Sequence, residues 1–263
     1  MKLQKFYEWL QLNKDSHGTI KTYFQYVNCF GKFCDYNFTQ NNLDKYVIIL
    51  REEGKTASTI NLFLISIRAY TKFSGQELLI PKPKKVKRKG IKLYFTEKDL
   101  QDILKSYYNE KDLALRFMFY FGSRPSELRK LKKDHINFET KDIVFYNAKG
   151  NKDRVIPFLN NKLFQDLKEH CDKLINEEVF SISYKQLTKI FNDIKINMNI
   201  NDHEVVEPRT MRISFAKYCL SVGMDISYLK KLMGHSDIKI TELYAEPDEK
   251  MIKEFCEKIR KEK

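Results

Sequence analysis

Apolar side chains recur every three or four residues through the N-terminal third of the chain. This spacing places them on one face of a helix and predicts four amphipathic helices packed as a bundle. Gly54 and Gly75 follow the third and fourth of these helices, where glycine commonly ends the last turn. The apolar positions of the four helices are, in order, Phe6, Tyr7 and Leu10; Ile20, Tyr23, Phe24, Val27 and Phe30; Leu43, Tyr46, Val47 and Leu50; and Ile60, Phe63, Leu64, Ile67 and Tyr70.

The remainder of the chain is also mostly helical in pattern, with one short β segment. Thr96 to Asp99 resembles a capping box, and an apolar helix ends at Gly122 before Pro125 opens another. Between residues 142 and 158 the period shifts towards two on either side of a turn rich in Gly and Asn, which predicts a β-hairpin. Further helices are predicted at about 160–174, 184–197, 208–222, 225–233 and 248–261. The fold class is therefore mainly α with a small β-hairpin or sheet.

A basic segment separates the two regions. Between residues 81 and 92 seven residues are basic and none is acidic, and the segment contains two prolines and a glycine. Proline and like-charge repulsion favour an extended, solvated tether, so we predict domains at 1–78 and 93–263 joined by a linker at 79–92. The segment is either a solvated, nuclear-localisation-like charge run or, as its position favours, a linker that contacts DNA phosphates. The candidate DNA-binding residues are Lys82, Lys84, Lys85, Lys87, Arg88 and Lys89.

The net charge of the chain indicates the class of its partner. The 263 residues include 48 Lys and Arg against 35 Asp and Glu, which gives a formal charge of +13 and a pI near 9.3. An excess of this size points to a polyanion as the partner. The hydrophobic fraction of 42% allows a sizeable core, and the length suits two domains.

Secreted and membrane-spanning proteins do not fit the sequence. No apolar run reaches the roughly 18–20 residues of a spanning helix, and the N-terminal segment has no signal-peptide core. The cysteines are scattered, odd in number and never paired as CxxC, which argues against a disulfide framework or a zinc ribbon and favours a reducing interior. We therefore expect a cytoplasmic protein with no membrane contact. The cysteines are Cys29, Cys34, Cys171, Cys219 and Cys256.

A set of cations, one histidine and one tyrosine is placed at the ends of elements in the second domain. Each position is ordinary alone: a surface ion pair, a solvated lysine at a hairpin tip, a packed tyrosine. Together they contain no carboxylate pair and no metal-ligand set, and they suit a phosphate that is bound and attacked without a metal ion. The set is Arg124, with Glu127 three residues on; Lys149; Arg209 and Arg212; His235; and Tyr244.

In order and spacing these segments resemble the motifs of the tyrosine recombinases, the phage-type integrases and Xer recombinases. The resemblance runs almost from end to end of the chain. It implies a four-helix, SAM-like core-binding domain, a tyrosine-recombinase catalytic domain, and a C-terminal helix that docks on a neighbouring protomer or else caps its own core. The motifs are GSRPSEL at 122–128, AKGNKDR at 148–154, PRTMR at 208–212 and LMGHSDIKITELY at 232–244.

The resemblance also implies a reaction that needs no cofactor and no metal. Tyr244 attacks the scissile phosphate, forms a 3′-phosphotyrosyl link and releases a 5′-hydroxyl, and a hydroxyl then attacks in return to rejoin the strand. Arg124 and Arg212 clamp the phosphate, where loss of one donor typically costs about 10²–10³ in rate. Lys149 acts as general acid for the leaving oxygen, and His235 bonds the phosphate or positions the tyrosine.

Arg209 stands where the family commonly has a histidine. A guanidinium cannot accept the proton of the tyrosine near neutral pH. The group that deprotonates Tyr244 therefore stays open between His235 and the phosphate itself, with the clustered cations favouring the phenolate. Glu127 takes the family's acidic position behind Arg124.

The implied partner is double-stranded DNA with a specific core site, bound by a homotetramer that is a monomer or dimer when free. The role is either Xer-like recombination or the integration and excision of a mobile element, and the N-terminal layout, which has no arm-binding domain, favours the first. The implied location is the nucleoid. Two alternatives stay open: an inactive DNA-binding protein of the same fold, suggested by Arg209, and a type IB topoisomerase-like enzyme that nicks and reseals. An RNA-binding protein would leave the ordered set of residues unexplained.

Overall fold

The computed structural model describes residues 2–84, 93–146, 153–235 and 237–245. The chain divides into two compact units, Met1–Lys89 and Gly90–Lys263. Lys149, the basic linker from Lys85 onwards and the helix predicted at 248–261 lie outside the described residues. Within the described ranges no helix combines the length and the apolar character that crossing a bilayer requires.

The N-terminal unit contains the four helices that the apolar spacing predicts. Thr39 and Thr56 cap the third and fourth helices through their side-chain oxygens, and Gly75 ends the fourth in a left-handed conformation. The inward faces meet in a core rich in aromatic rings, where Phe30 contacts Phe63 edge to face. The helices are α1 (Lys2–Asn13), α2 (His17–Phe33), α3 (Gln40–Glu52) and α4 (Ala57–Ser74).

Residues 79–84, at the start of the predicted linker, are held against α3 and α4 by two amide side chains. Leu79 N–H donates to Gln40 Oε1 at 2.8 Å, and Gln40 Nε2 donates back to the Leu79 carbonyl at 3.3 Å. Asn61 pairs with Lys84 in the same way, at 2.7 and 2.9 Å. Because these amides bind its backbone, this stretch is fixed to the N-terminal unit and is not the free, solvated tether that the composition predicts.

The C-terminal unit is helical around a small antiparallel sheet. The predicted helices and hairpin strands within the described residues are confirmed, while β1, the 3-10 turn at Lys133–His135 and α12 were not predicted. The helices are α5 (Glu97–Leu104), α6 (Asn109–Phe121), α7 (Pro125–Leu128), α8 (Asn161–Lys173), α9 (Tyr184–Asn197), α10 (Pro208–Ser221), α11 (Ile226–Met233) and α12 (Ile238–Ala245); the strands are β1 (Ile136–Asn137), β2 (Asp142–Phe145) and β3 (Arg154–Pro157).

The register of the sheet turns one charged residue towards the core. Strand β2 pairs with β3 so that Ile143 faces Ile156 and Phe145 faces Arg154. Because side chains alternate along a strand, these four lie on one face, and all four are buried. Arg154 therefore occupies an inward position beside an aromatic ring, where an apolar side chain would be the usual occupant.

Helix α10 is fixed at the centre of the unit by close contact with the end of α6. Gly122 ends α6 at a φ of 54°, and a Cβ built on it would overlap the ring of Phe215 on α10. Only glycine meets both requirements, because other residues adopt positive φ at a cost and would also displace the ring. The Gly122 carbonyl also accepts a hydrogen bond from Arg212 on the same helix.

Replacing Gly122 with Ala is therefore expected to destabilise the C-terminal unit. The left-handed backbone costs about 1–2 kcal/mol, and overpacking against Phe215 adds about 1–3 kcal/mol. Urea unfolding followed by circular dichroism measures the loss. The fluorescence of Trp9, the single tryptophan, reports the N-terminal unit separately and should keep its midpoint.

Gly223→Ala is the matched control for this variant. Gly223 has a φ of 89°, but nothing lies within 4 Å of the position its Cβ would take. Gly223→Ala should therefore lose only the free energy of unfolding that the left-handed backbone conformation costs. Equal losses in free energy of unfolding for the two variants would contradict the proposed contact with Phe215.

Candidate active site

The site is organised by the C-terminal end of α11. Gly234 adopts a φ of 61° and donates to the Lys231 carbonyl, and His235 N–H donates to the Lys230 carbonyl at 3.1 Å. This pattern is a Schellman motif, which ends the helix and turns the chain sharply. The turn places His235 beside the helix end and leaves the Met233 carbonyl to accept hydrogen bonds from side chains.

Arg212 is buried in the middle of this arrangement, with 3% of its surface exposed. It donates to the Gly122 carbonyl at 2.6 Å, to the Met233 carbonyl and to His235 Nε2 at 3.3 Å. Burial, followed by the nearby positive charges of Arg124 and Arg154, lowers the pKa of Arg212 to about 9. The guanidinium therefore keeps its charge at neutral pH and is held at the ends of two helices.

Arg124 and Glu127 form the opposite wall of the site. Arg124 immediately precedes α7, and its backbone N–H and its guanidinium donate to the two oxygens of the Glu127 carboxylate, each at 2.6 Å. Burial alone would raise the pKa of Glu127, but the positive charges of Arg154 and Arg124 and the hydrogen bonds from Arg124 outweigh it and lower the pKa. The carboxylate is ionised and orients Arg124, whose side chain is 37% exposed and reaches solvent.

His235 is uncharged at neutral pH. Burial, followed by the positive charges of Arg212 and the other arginines nearby, lowers the pKa of His235 to about 4. Because Arg212 can only donate, Nε2 is the acceptor, and Nδ1 carries the proton that is donated to Thr241 Oγ1 at 3.0 Å. Thr241 on α12 thus fixes the tautomer of His235.

Tyr244 lies on α12, one turn beyond Thr241, and is 4% exposed. It belongs to a small apolar cluster with Phe215 and Met233, between α10, α11 and α12. Its ring is stacked on His235 with centroids 5.9 Å apart and an interplanar angle of 17°. The same chain therefore brings the tyrosine beside its own arginines and histidine.

The chain matches the sequence models of two known domain families. The sequence model of the phage integrase family matches residues 94–251, and that of the phage integrase N-terminal SAM-like domain matches residues 3–77. The chain belongs to the phage integrase family. It is a tyrosine recombinase, an enzyme of site-specific DNA recombination, with a SAM-like domain before its catalytic domain.

Individual relatives match this chain over nearly its whole length and support its assignment to the tyrosine recombinases. The tyrosine recombinase XerA of Pyrococcus horikoshii is 28% identical over 278 residues, covering 98% of this chain and 93% of that protein. Among solved structures, the Tn1549 transposon integrase in complex with a circular intermediate DNA has a TM-score of 0.68 at 16% identity, covering 98% of this chain and 99% of that one. A lambda integrase dimer bound to a core site has a TM-score of 0.71 at 13% identity, covering 92% and 75%. These structures establish the likeness of fold.

In this phage integrase family member, the structure brings together most of the residues that the sequence singled out. Arg124, Glu127, Arg212, His235 and Tyr244 lie in one site. Arg209 differs, because it is exposed on the first turn of α10 and acts on the site through its charge, which helps to lower the pKa of His235. Lys149 and the linker residues from 85 to 89 lie outside the described residues, whereas Lys82 and Lys84 are exposed at the surface of the N-terminal unit.

Sequence reasoning missed several residues of the site. Arg154 and Thr241 contact the residues already named, and Arg154 follows the hairpin turn at an inward strand position. The site also opens on a cleft of about 860 Å³ with basic walls. Its charged lining includes Arg129, Lys130 and Lys132, which follow α7 in a run of basic residues that the sequence shows plainly.

Proposed function

We propose that this recombinase cuts and rejoins duplex DNA with Tyr244 as the nucleophile. Tyr244 Oη attacks the scissile phosphorus, the bond to the 5′-oxygen breaks, and the phosphodiester becomes a 3′-phosphotyrosyl ester. The bond energy stays in that ester, so the returning hydroxyl can reseal the strand. The observation that supports this proposal is a direct chain of contacts: Arg212 on α10 bonds His235 after α11, and His235 stacks on Tyr244 of α12.

Arg124 and Arg212 are proposed to bind the non-bridging oxygens of the phosphate. Arg212 is fixed by carbonyls and Arg124 by a carboxylate, so both charges are oriented before the substrate arrives. Charge held in advance where the transition state develops it is usually the largest catalytic effect. Arg209, exposed at the start of the same helix, adds a third positive charge near the phosphate.

His235 is proposed to take the proton of Tyr244 at Nε2, once a bound phosphate accepts the Arg212 N–H that Nε2 accepts in the free protein. A pKa of about 4 makes the free imidazole a weak base, because arginines surround it. A bound phosphodiester brings a negative charge among those arginines, and a nearby opposite charge raises the pKa of an imidazole. Binding of DNA is therefore expected to raise the pKa of His235 and make it a stronger base. Lys149, by the family resemblance, donates the proton to the leaving 5′-oxygen.

The DNA is proposed to carry a specific core site, on which four copies assemble from free monomers or dimers. The basic cleft beside Lys130 and Lys132 and the exposed Lys82 and Lys84 supply contacts to phosphates. Most of these contacts are electrostatic, so affinity should fall steeply with salt concentration. Such a substrate implies an intracellular, nucleoid-associated role of the Xer type.

Capture of genomic DNA tests this proposal. Fragments of the host genome carrying nicks that trap the covalent intermediate are incubated with the protein, and the DNA that stays attached after denaturation is sequenced. We expect one recurring core motif, and exchange of strands between two copies of it on a plasmid. A motif in the chromosome indicates an Xer-like role, whereas a motif at the ends of an element indicates integration. Relaxation of plasmids without a motif would indicate a topoisomerase-like enzyme, and salt-sensitive binding without attachment an inactive binder.

A further inference from the structure

Arg154 connects the two walls of the active site and has no role in the reaction proposed above. It is 5% exposed, and its guanidinium lies 4.5 Å from the centre of the Phe145 ring. It donates to Glu127 Oε2 at 2.7 Å and to the Met233 carbonyl at 3.1 Å. Among the described residues, its buried Nε has no hydrogen-bond partner.

A buried arginine at this position is not explained by stability. Its neighbour on the same face of β3, Ile156, is fully buried and apolar, and an apolar residue could fill the Arg154 position as well. Replacing a buried ion pair by well-packed apolar residues is often neutral or stabilising, because charges lose their hydration on burial. The unpartnered Nε adds to that cost. The guanidinium therefore needs a reason other than the stability of the fold.

The two groups that Arg154 binds are the supports of the two proposed phosphate clamps. The Glu127 carboxylate holds Arg124 through its backbone and its guanidinium. The Met233 carbonyl holds Arg212, and it accepts from Arg154 as well. Arg154 thus closes a continuous chain of hydrogen bonds from Arg124 to Arg212.

We propose that Arg154 is a positioning residue, which fixes the distance and orientation between Arg124 and Arg212 through Glu127 and the Met233 carbonyl. A planar guanidinium with several donors can bind both acceptors at once, whereas a lysine places one ammonium and cannot span them in the same way. The inference rests on the proposed function of the site, because the two arginines must act on one phosphate. A misplacement of about 1 Å in such a pair can cost roughly a hundredfold in rate.

Arg154 also contributes positive charge to the surroundings of His235. Among the described residues, the charges that act on the imidazole are those of Arg212 and Arg209 on α10, Arg124 before α7 and Arg154 on β3. Thr241 and Tyr244 on α12 contact its ring, and Glu127 on α7 acts on Arg212. Removing the charge at Arg154 should raise the pKa of His235, whereas Lys at that position retains the charge. The two substitutions therefore separate geometry from electrostatics.

The experiment compares Arg154→Lys and Arg154→Met with Arg116→Met in the full chain. Arg116 is a matched control, because it is also mostly buried and also bridges two groups, the carboxylates of Asp112 and Asp166, on α6 and α8. Single-turnover cleavage of a nicked suicide duplex, DNA affinity and thermal unfolding are measured for each. The pKa of His235 is followed by NMR of histidine-labelled protein, which contains five histidines.

We expect both Arg154 variants to lose about a hundredfold in cleavage rate while DNA affinity stays close to that of the unmodified protein. In Arg154→Met the pKa of His235 should rise above about 4 while burial, Arg212 and Arg124 still hold it below its ordinary value, and in Arg154→Lys it should stay low. Arg116→Met should lose stability without changing the rate or that pKa. Arg154→Lys cleaving as fast as Arg116→Met would overturn the inference. If the unmodified protein forms no adduct, the proposed function has failed instead. The NMR signals of the Arg124 and Arg212 guanidinium groups then test the positioning directly, and signals that do not change in Arg154→Lys would overturn this inference separately.

Discussion

Replacing Tyr244 with Phe should abolish the covalent adduct between the protein and a nicked suicide duplex. The substitution removes only the hydroxyl, so the attacking oxygen is lost while the ring stays in its cluster with Phe215 and Met233. Without a nucleophile no phosphotyrosyl ester forms, and the residual rate should fall below detection. Denaturing gels of end-labelled duplex, read for a labelled protein band, measure the effect.

Tyr218→Phe is the control for this variant. Tyr218 lies on α10, packs against the same small cluster and contacts the ring of Tyr120 edge to face. Both variants should bind the duplex as the unmodified protein does, and only Tyr244→Phe should lose the adduct. An adduct that persists in Tyr244→Phe would mean that another residue is the nucleophile and would remove the basis of the proposed reaction.

The helices of the N-terminal unit could be predicted from the sequence because their signals are local. Apolar spacing sets the inward face of each helix, and Gly75 ends α4 for a reason that a sequence displays. The path of residues 79–84 could not be predicted in this way. It depends on Gln40 and Asn61, which lie on α3 and α4 and bind backbone groups 39 and 23 residues later in the chain.

The residues of the proposed active site also differ in whether their placement follows from local sequence. Arg124 and His235 stand next to Pro125 and Gly234, which mark helix ends, so their placement follows from neighbouring residues. Arg154 was missed because a charged residue after a turn usually faces solvent. Its inward orientation comes from the register with Phe145, which is a property of strand pairing and not of composition.

The structure also changes how Arg209 is understood. Sequence alone presents it as the replacement of a catalytic histidine, which suggested an inactive protein. Its side chain is exposed, and the neutral imidazole of the site is His235, held by Arg212 and Thr241. The replacement at Arg209 therefore leaves a neutral imidazole stacked on the ring of Tyr244, and this imidazole is the base proposed above.

Arg212→Lys is expected to lower the rate of cleavage by at least about 10²–10³. Three N–H groups of Arg212 bind Gly122, Met233 and His235, and of its five donors two remain for a phosphate within the described part of the chain. A lysine has three donors on one atom and cannot hold two carbonyls and bind a phosphate through two donors together. Single-turnover cleavage at saturating protein isolates the chemical step, and DNA affinity measured in parallel should change little.

Arg209→Lys provides the comparison on the same helix. Arg209 is exposed one turn earlier, and a lysine there keeps the positive charge, so its loss of rate should be much smaller. Replacing Arg212 also leaves the Gly122 and Met233 carbonyls without its hydrogen bonds, which lowers stability. Circular dichroism and thermal unfolding measure this loss of stability separately from the loss of rate. A folded Arg212→Lys variant that cleaves within tenfold of the unmodified protein would show that Arg212 supports the helix ends and does not clamp the phosphate.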